Sequence, residues 1–484
     1  MTPQSERRVK IVATLGPAVV GRDALRALLQ AGVNVARINA AHGSADVRST
    51  LIADIRAVAA EMGIRIPILF DLQGLKIRTG PVEGRESVPI TRGGTVEIVP
   101  EAVPTTESRI GIGYPNLLGV IERNSRILIA DGLIELLVES VNVGSATCTV
   151  GRGGQLNGRQ GVTLPGAPIQ GGALTEVDHV DIDFALAHRV EYLGLSFVND
   201  ASDLIAARAR TASLGKDAPG LIAKIERGEA LANVRQIAAE ADGLMVARGD
   251  LGVQLPPERV PRAQKEIISV ANEFGLPVIT ATQMLESMIT QPVATRAETS
   301  DVANAVWDGT DAVMLSAETA MGRYPVEAVQ TMDRIIREIE RDGTVRSQSA
   351  AKKLPNAEDI ELRVADAIAR AAFTLSDQTP ASRIVVFTLA GSAARRVAKY
   401  RPAQPIIAVC TEEAVACRLN LVWGVQSMVL PMDDEPDVMF RTAGKAIVEA
   451  GWASADDYGL IVGSLPMLRV SGRTNLLHIR MLGT

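Results

Sequence analysis

Eight short apolar runs recur along the first two thirds of the chain, with helical periodicity in most of the intervals between them, and this alternation narrows the fold more than any other feature. The runs are VKIVATLG from Val9, VNVARIN from Val33, IPILFDL from Ile66, EYLGLSF from Glu191, LIAKIE from Leu221, GLMVAR from Gly243, PVITAT from Pro277 and AVMLSAE from Ala312. Their interiors are continuously apolar, as in parallel strands covered on both faces, and intervening segments such as RDALRALLQA place apolar residues at helical spacing. Eight βα units of this kind predict a TIM (β/α)8 barrel.

One interval is too long for a crossover helix. From Gly80 to about Ala173 the text turns to Gly, Pro, Thr and Val with alternating patterns such as GTVEIVP and ATCTVGRGG, which predicts a small all-β domain inserted after the third strand. After Arg341 the run DGTVRSQSAAKKLPNAED is polar and reads as a linker. A second α/β series follows, with strands in RIVVFTL, PIIAVC, VQSMVLP, GLIVGS and NLLHIRML. The expected layout is a barrel over 1–79 and 174–342, a β lid over 80–173, a linker over 343–358 and an open, doubly wound α/β domain over 359–484.

Composition removes several function classes. A net charge of −6 with 3% aromatic residues gives neither the basic footprint nor the stacking platform of a nucleic-acid binder. Cys148, Cys410 and Cys417 are odd in number and lack CxxC spacing, so they read as reduced thiols packed in cores. No run approaches the ~18 apolar residues of a membrane span, and a soluble cytoplasmic protein is expected. There is no P-loop, and the Gly-rich GRGGQLNGRQG lacks the strand-to-helix context of a dinucleotide fingerprint, so it reads as hairpin turns.

In a TIM barrel the chemistry sits at the C-terminal ends of the strands. The polar residues there are Arg37 and Asn39 in the second run, Asp71 in the third, Ser196 in the fourth, Lys224 and Glu226 in the fifth, Arg248 and Asp250 after the sixth, Thr282 after the seventh and Glu318 after the eighth. Side chains alternate across a strand, so Lys224 and Glu226 share one face and look into the same mouth. Glu226 and Asp250 offer few, hard oxygen donors and suit Mg²⁺ with positions left for water or substrate. The two carboxylates could instead be an acid/base pair. Against that, Arg37, Arg78 and Lys224 bring positive charge to the mouth and favour an anionic substrate, the arrangement phosphoryl transfer needs. His42, read alone, would cap the helix that follows it.

The stretches KIVATLGPA, GVNVARINAAHG, FDLQGLKIRTG, AKIERGEA, LMVARGDLGVQLP, ITATQMLESMI, TRAETSDVANAVWDGTDAVMLSAETA and KYRPAQPIIAV resemble pyruvate kinases, and the resemblance runs through to the C-terminal TNLLHIRML. It implies a barrel interrupted by a mobile lid, a homotetramer, and the conversion of phosphoenolpyruvate, ADP and a proton to pyruvate and ATP. Lys224 would stabilise the phosphoryl group in flight and the enolate behind it. Glu226 and Asp250 would hold Mg²⁺, or Mn²⁺ in its place. Gly249 would present a backbone amide to the substrate, and Thr282 would help protonate the enolate through water. Arg37 would bridge the phosphoryl group, while Asn39, His42 and Arg78 would face ADP.

Departures from the family pattern carry their own expectations. Where most members hold K⁺ beside LDTKGPEIRTG, this chain keeps Asn39 and Asp71 but has Ala41 for a serine and Lys76 for a glutamate, with Leu72 and Gln73 between. The Lys76 ammonium would stand in for K⁺, so no K⁺ requirement is expected. Gln160 replaces a lid lysine, leaving Arg159 as a candidate contact, and Asn199 replaces a strand-four arginine. In the C-terminal loop TLAGSA, Thr388 to Ala393, Ala390 and Ala393 replace two hydroxyls of TxSGRS and Ser392 stands where its arginine would, so little activation by fructose 1,6-bisphosphate is expected. Thr388 and the helix start after Gly391 leave a monophosphorylated metabolite open as effector. Rival readings are another Mg²⁺-dependent barrel handling phosphoenolpyruvate or oxoacids, such as an aldolase, and a catalytically silent metabolite sensor.

Overall fold

Val, Ile, Leu and Ala fill the eight strands, which suits a surface buried on both faces. In the computed structural model, which describes residues 7–167, 172–341, 359–431, 433, 435–465 and 473–484, these strands are Lys10–Thr14, Val35–Asn39, Ile68–Asp71, Tyr192–Leu195, Gly220–Ile225, Gly243–Ala247, Val278–Ala281 and Ala312–Leu315. They form a closed parallel barrel in chain order, and the eighth pairs with the first from Lys10↔Ala312 to Ala13↔Leu315. Inward residues such as Val12, Val35, Leu69, Ile222, Met245 and Met314 pack against one another inside the barrel. Outward residues such as Ile11, Ala13, Ile38, Phe70 and Val246 pack against the helices, which accounts for the continuous apolar text. The predicted linker over 343–358 lies outside the described residues.

The insert separates the third and fourth barrel strands, and its described residues form a six-stranded and a two-stranded sheet with one short helix at Leu117–Val120. It has its own core, which includes Ile98, Ile127, Leu136, Val138 and the fully buried Cys148. The Gly-rich stretch expected to form hairpin turns is largely strand: Ala146–Arg152 and Gly154–Asn157. Gly153 between them is needed for close approach, because a Cβ there would stand 2.3 Å from the Ile90 carbonyl oxygen. The chain leaves the barrel through Leu72 to Gly80 and returns through the helix Glu176–Ala187. A capping box formed by Thr175 and Asp178 starts that helix.

The C-terminal sheet runs, edge to edge, Val425–Val429, Ile406–Cys410, Ala381–Phe387, Tyr458–Gly463 and Leu476–Met481. The first four strands are parallel and the last is antiparallel. Apolar clusters cover both faces, with the buried Cys410 in one of them. This domain sits under the barrel floor. Leu421 joins the barrel's inner core, Lys10 Nζ donates to the Val425 carbonyl at 2.9 Å, and the fully buried Arg401 bonds Asp311 at 3.0 Å and the Gly309 carbonyl at 2.7 Å. The C-terminal ends of the strands are thereby left to the lid. Among the described residues no helix is long and apolar enough to cross a membrane.

Candidate active site

Strand parity turns Lys224 into the barrel mouth, where its ammonium meets three oxygens. Nζ lies 3.0 Å from Glu226 Oε1 and 3.1 Å from Asp71 Oδ1, and it donates to Ser196 Oγ at 2.6 Å. Arg37 approaches the other Asp71 oxygen, its Nε donating to Oδ2 at 2.8 Å, and its Nη1 donates to Thr14 Oγ1 at 2.9 Å. Gly194 on the fourth strand leaves room for this carboxylate, since a Cβ there would be 3.1 Å from Asp71 Oδ1. The structure therefore brings Arg37, Asp71, Ser196, Lys224 and Glu226 into one buried polar cluster.

The charges in this cluster hold one another. Burial disfavours the Lys224 ammonium, but Asp71 and Glu226 outweigh it and keep the lysine above its usual range. Burial likewise opposes the Asp71 carboxylate, which Lys224 and Arg37 nonetheless hold low. Glu226 goes the other way: burial, with the charge of Asp250 added, pushes it up to about 6 against the pull of Lys224. Its Oε2 accepts the Phe197 amide at 2.7 Å. Asp250 is exposed, and its carboxylate has no hydrogen bond or ion pair among the described residues. One buried and one open carboxylate that repel each other form a donor set that a hard divalent cation fits, because a cation would relieve both burial and repulsion. Among the described residues no group of three or more His, Cys, Asp or Glu side chains is arranged to hold a metal.

Several strand-end residues brace the mouth instead of opening into it. Phe197, Thr282 and Gln283 have positive φ, at 56°, 65° and 55°, and for a β-branched threonine this conformation is a genuine outlier. Arg248 holds that turn: its guanidinium donates to the Ala281 carbonyl at 3.1 Å and the Thr282 carbonyl at 2.5 Å, and pairs with Asp301 at 2.7 Å. Thr282 Oγ1 donates to the Ala281 carbonyl at 2.6 Å and accepts the Gly249 amide at 2.8 Å, so the amide expected to face substrate is engaged within the protein. Glu318 is buried and accepts the Ser316 and Leu285 amides at 2.7 and 3.1 Å. A cavity of about 610 Å³ opens beside Asp250, lined by Arg248, Gly249 and Gln283 and, from the lid, Asp131. Lys224 and Glu226 lie outside its lining.

The residues expected to face nucleotide form a looser group. Asn39 Oδ1 accepts the Ala41 amide at 3.0 Å, His42 is exposed, and Arg78 is exposed with its guanidinium 2.9 Å from the Arg159 carbonyl. Gln160 donates its backbone N–H to Thr79 Oγ1 at 3.0 Å. Lys76 is exposed and has no hydrogen bond or ion pair among the described residues, whereas Asp71 is engaged with Arg37 and Lys224. Asn199 accepts from Arg227 Nη1 at 2.8 Å, and that guanidinium lies 5.1 Å from the Phe197 ring centre. A cation at this part of the rim thus comes from the end of strand five. In the C-terminal loop, Thr388 is buried and its Oγ1 accepts the Gly391 amide at 3.0 Å.

Sequence reasoning missed the shell behind these groups. Arg48 Nη1 donates to the Ala40 carbonyl at 2.8 Å and to Asp181 at 3.0 Å, and Gln73 Nε2 reaches Asp181 at 3.0 Å, which supports the Asn39 to His42 turn. The TEVD capping signature could have located Asp178 at a helix start, but not its reach to Gln73, which depends on the closed fold.

Known proteins of one family match the chain along nearly its whole length. Residues 6–329 match the family model for the pyruvate kinase barrel domain, and residues 366–480 match that for the pyruvate kinase alpha/beta domain. The chain is 40% identical over 479 residues to pyruvate kinase of Geobacillus stearothermophilus, covering 99% of this chain and 81% of that protein. It is 40% identical over 482 residues to pyruvate kinase of Agrobacterium vitis, covering 99% and 98%. The crystal structure of a pyruvate kinase from Cryptosporidium parvum superposes with a TM-score of 0.92 at 33% identity, covering 99% of this chain and 97% of that one. With both domains matched and near-complete coverage, the chain belongs to the pyruvate kinase family.

Proposed function

We propose that this enzyme, which moves the phosphoryl group of phosphoenolpyruvate to ADP and so yields pyruvate and ATP, works through Lys224 with Mg²⁺ held by Glu226 and Asp250. The observation that carries the reading is the buried Lys224 ammonium, fixed among Asp71, Glu226 and Ser196 beside an open Asp250. A preorganised cation of this kind meets charge as it develops on the transferring group and on the enolate left behind, with little reorganisation at the moment of reaction. Arg37, anchored by Asp71 and Thr14, adds a second fixed positive charge. As the P–O bond to the enol oxygen breaks and the bond to ADP forms, the enolate takes a proton at its methylene carbon, delivered by water held at Thr282. Mg²⁺, or Mn²⁺, would neutralise charge on the phosphoryl oxygens. Asn39, His42 and Arg78 would face ADP, and Gly249 would turn its amide from Thr282 to the substrate.

In this reading Lys76 replaces the monovalent cation near Asn39 and Asp71, the enzyme is a cytoplasmic homotetramer, and any effector of the C-terminal domain is a phosphorylated metabolite. The test is pyruvate release from phosphoenolpyruvate and ADP, with and without Mg²⁺, in the native protein and in Lys224→Met. Loss of one charged donor to the transition state is expected to cost roughly 3–4 kcal/mol, or 10²–10³ in turnover, while Mg²⁺ binding survives. Near-native turnover in Lys224→Met would remove Lys224 from the mechanism.

A further inference from the structure

We propose that Asp178 and Ser196 form a relay tying the lid's hinge to Lys224, so that the lysine is aimed only when the two hinge limbs are bolted together. The proposal rests on Lys224 being the group that meets the phosphoryl oxygens.

Asp178 is fully buried, and the four hydrogen bonds that its carboxylate accepts come from both limbs. From the outgoing limb, Oδ1 accepts the amides of Gln73 at 3.0 Å and Gly74 at 3.1 Å. From the returning limb, Oδ2 accepts the Thr175 amide at 2.9 Å and hydroxyl at 2.7 Å. All four donors are neutral. A buried carboxylate without a bonded cation depends on donors such as these, so the two limbs are held in register by the cost of leaving it unsatisfied.

The outgoing limb then presses on the active site. Gly74 has φ +64°, and a Cβ there would stand 2.8 Å from the Phe197 ring and 2.9 Å from Ser196 Cβ, so the turn lies directly on those two residues. Lysine can only donate, so Ser196 Oγ accepts from Nζ at 2.6 Å and must direct its own proton elsewhere. That proton goes to the Leu72 carbonyl at 2.7 Å. Of the three oxygens around the ammonium, Ser196 Oγ is the neutral one, and it is bonded to the lid's outgoing limb. Phe197, which lies under the same turn, gives its amide to Glu226. A shift of Leu72 to Gly74 therefore removes the acceptor of the Ser196 proton and releases one corner of the lysine.

The test is a double-mutant cycle on turnover, with Ser196→Ala, Asp178→Asn and the pair, alongside thermal unfolding of each. Misplacing a catalytic group by about 1 Å can cost on the order of 10²-fold. Each single variant should accordingly lose tenfold or more in kcat with the KM for ADP little changed. The pair should lose no more than the worse single variant, even where their effects on the unfolding midpoint add. Near-native kcat in Ser196→Ala, or losses that multiply in the pair, would overturn the relay. Should Asp178→Asn fail to fold, Thr175→Val removes one donor of the same carboxylate and completes the cycle. Lys224→Met separates the two claims: if it abolishes turnover while the cycle is multiplicative, the relay falls and the assignment of Lys224 stands.

Discussion

Lys10 provides a measurable pH signature of the barrel floor. It is 5% exposed at the base of the first strand, with Nζ bonded to the Val425 carbonyl at 2.9 Å. Burial, reinforced by neighbouring Arg7, pushes its pKa down from 10.5 to about 7, against the opposing pull of Glu340 and Asp311. In the unfolded chain the group titrates near 10.4. The folded state therefore binds fewer protons between pH 7 and 10.5. Below pH 7 the cost of a buried ammonium is fully present, and it is relieved as pH rises through that window. At 1.36 kcal/mol per pKa unit, the span amounts to roughly 5 kcal/mol, with a steepest slope of about 1.4 kcal/mol per pH unit. Lys10→Met keeps the apolar stem and removes the titration. Loss of the bond to Val425 adds a penalty of about 1 kcal/mol that does not vary with pH. Thermal unfolding of both proteins at matched concentration between about pH 6.5 and 9.5, a range that starts below the window and covers most of it, should show the native protein gaining stability relative to Lys10→Met as pH rises. Parallel curves would refute the argument.

Three further outcomes are expected. Turnover with Mg²⁺ in a buffer whose monovalent cation is bulky and organic should be near full, and Lys76→Glu should lose most of it, with KCl restoring activity only when Ala41→Ser is also present. Arg227→Leu strips Asn199 of its partner and should lower the unfolding midpoint by an amount equivalent to about 1–3 kcal/mol, while the exchange Asn199→Arg with Arg227→Asn should recover part of it; equal loss in the single and the exchanged variants would show that the pair is not a unit. Fructose 1,6-bisphosphate should change the phosphoenolpyruvate saturation curve little, and activation at micromolar concentration would contradict the reading of Thr388 to Ala393.

The barrel was legible because covering a strand on both faces writes an unbroken apolar run, and the lid because an edge-rich sheet writes alternation. Parity along LIAKIE was enough to place Lys224 and Glu226 together. Position at a strand end was a weaker guide for Arg248 and Glu318, because the left-handed turn at Thr282 and Gln283 creates internal carbonyls for Arg248 to hold, and the Leu285 and Ser316 amides occupy Glu318. The tie between Asp178 and Gln73 spans the whole insert and leaves no periodic trace. The glycines after Gly151 were misread for a related reason: glycine marks a close approach as readily as a turn, and only the partner backbone tells which.

Leu421 gives the enzyme an order of assembly. The barrel's inner core contains this residue, and the floor is fastened by Arg401 and by the Lys10 contact with Val425, all supplied by chain made long after the eighth strand. During synthesis the eight strands leave the ribosome before their floor exists, so the nascent barrel waits with its underside open to water until the C-terminal domain is made. A chain stopped at Arg341 is thus an unfinished barrel, with Lys10 and Asp311 facing solvent, and it is this form that quality-control proteases should recognise.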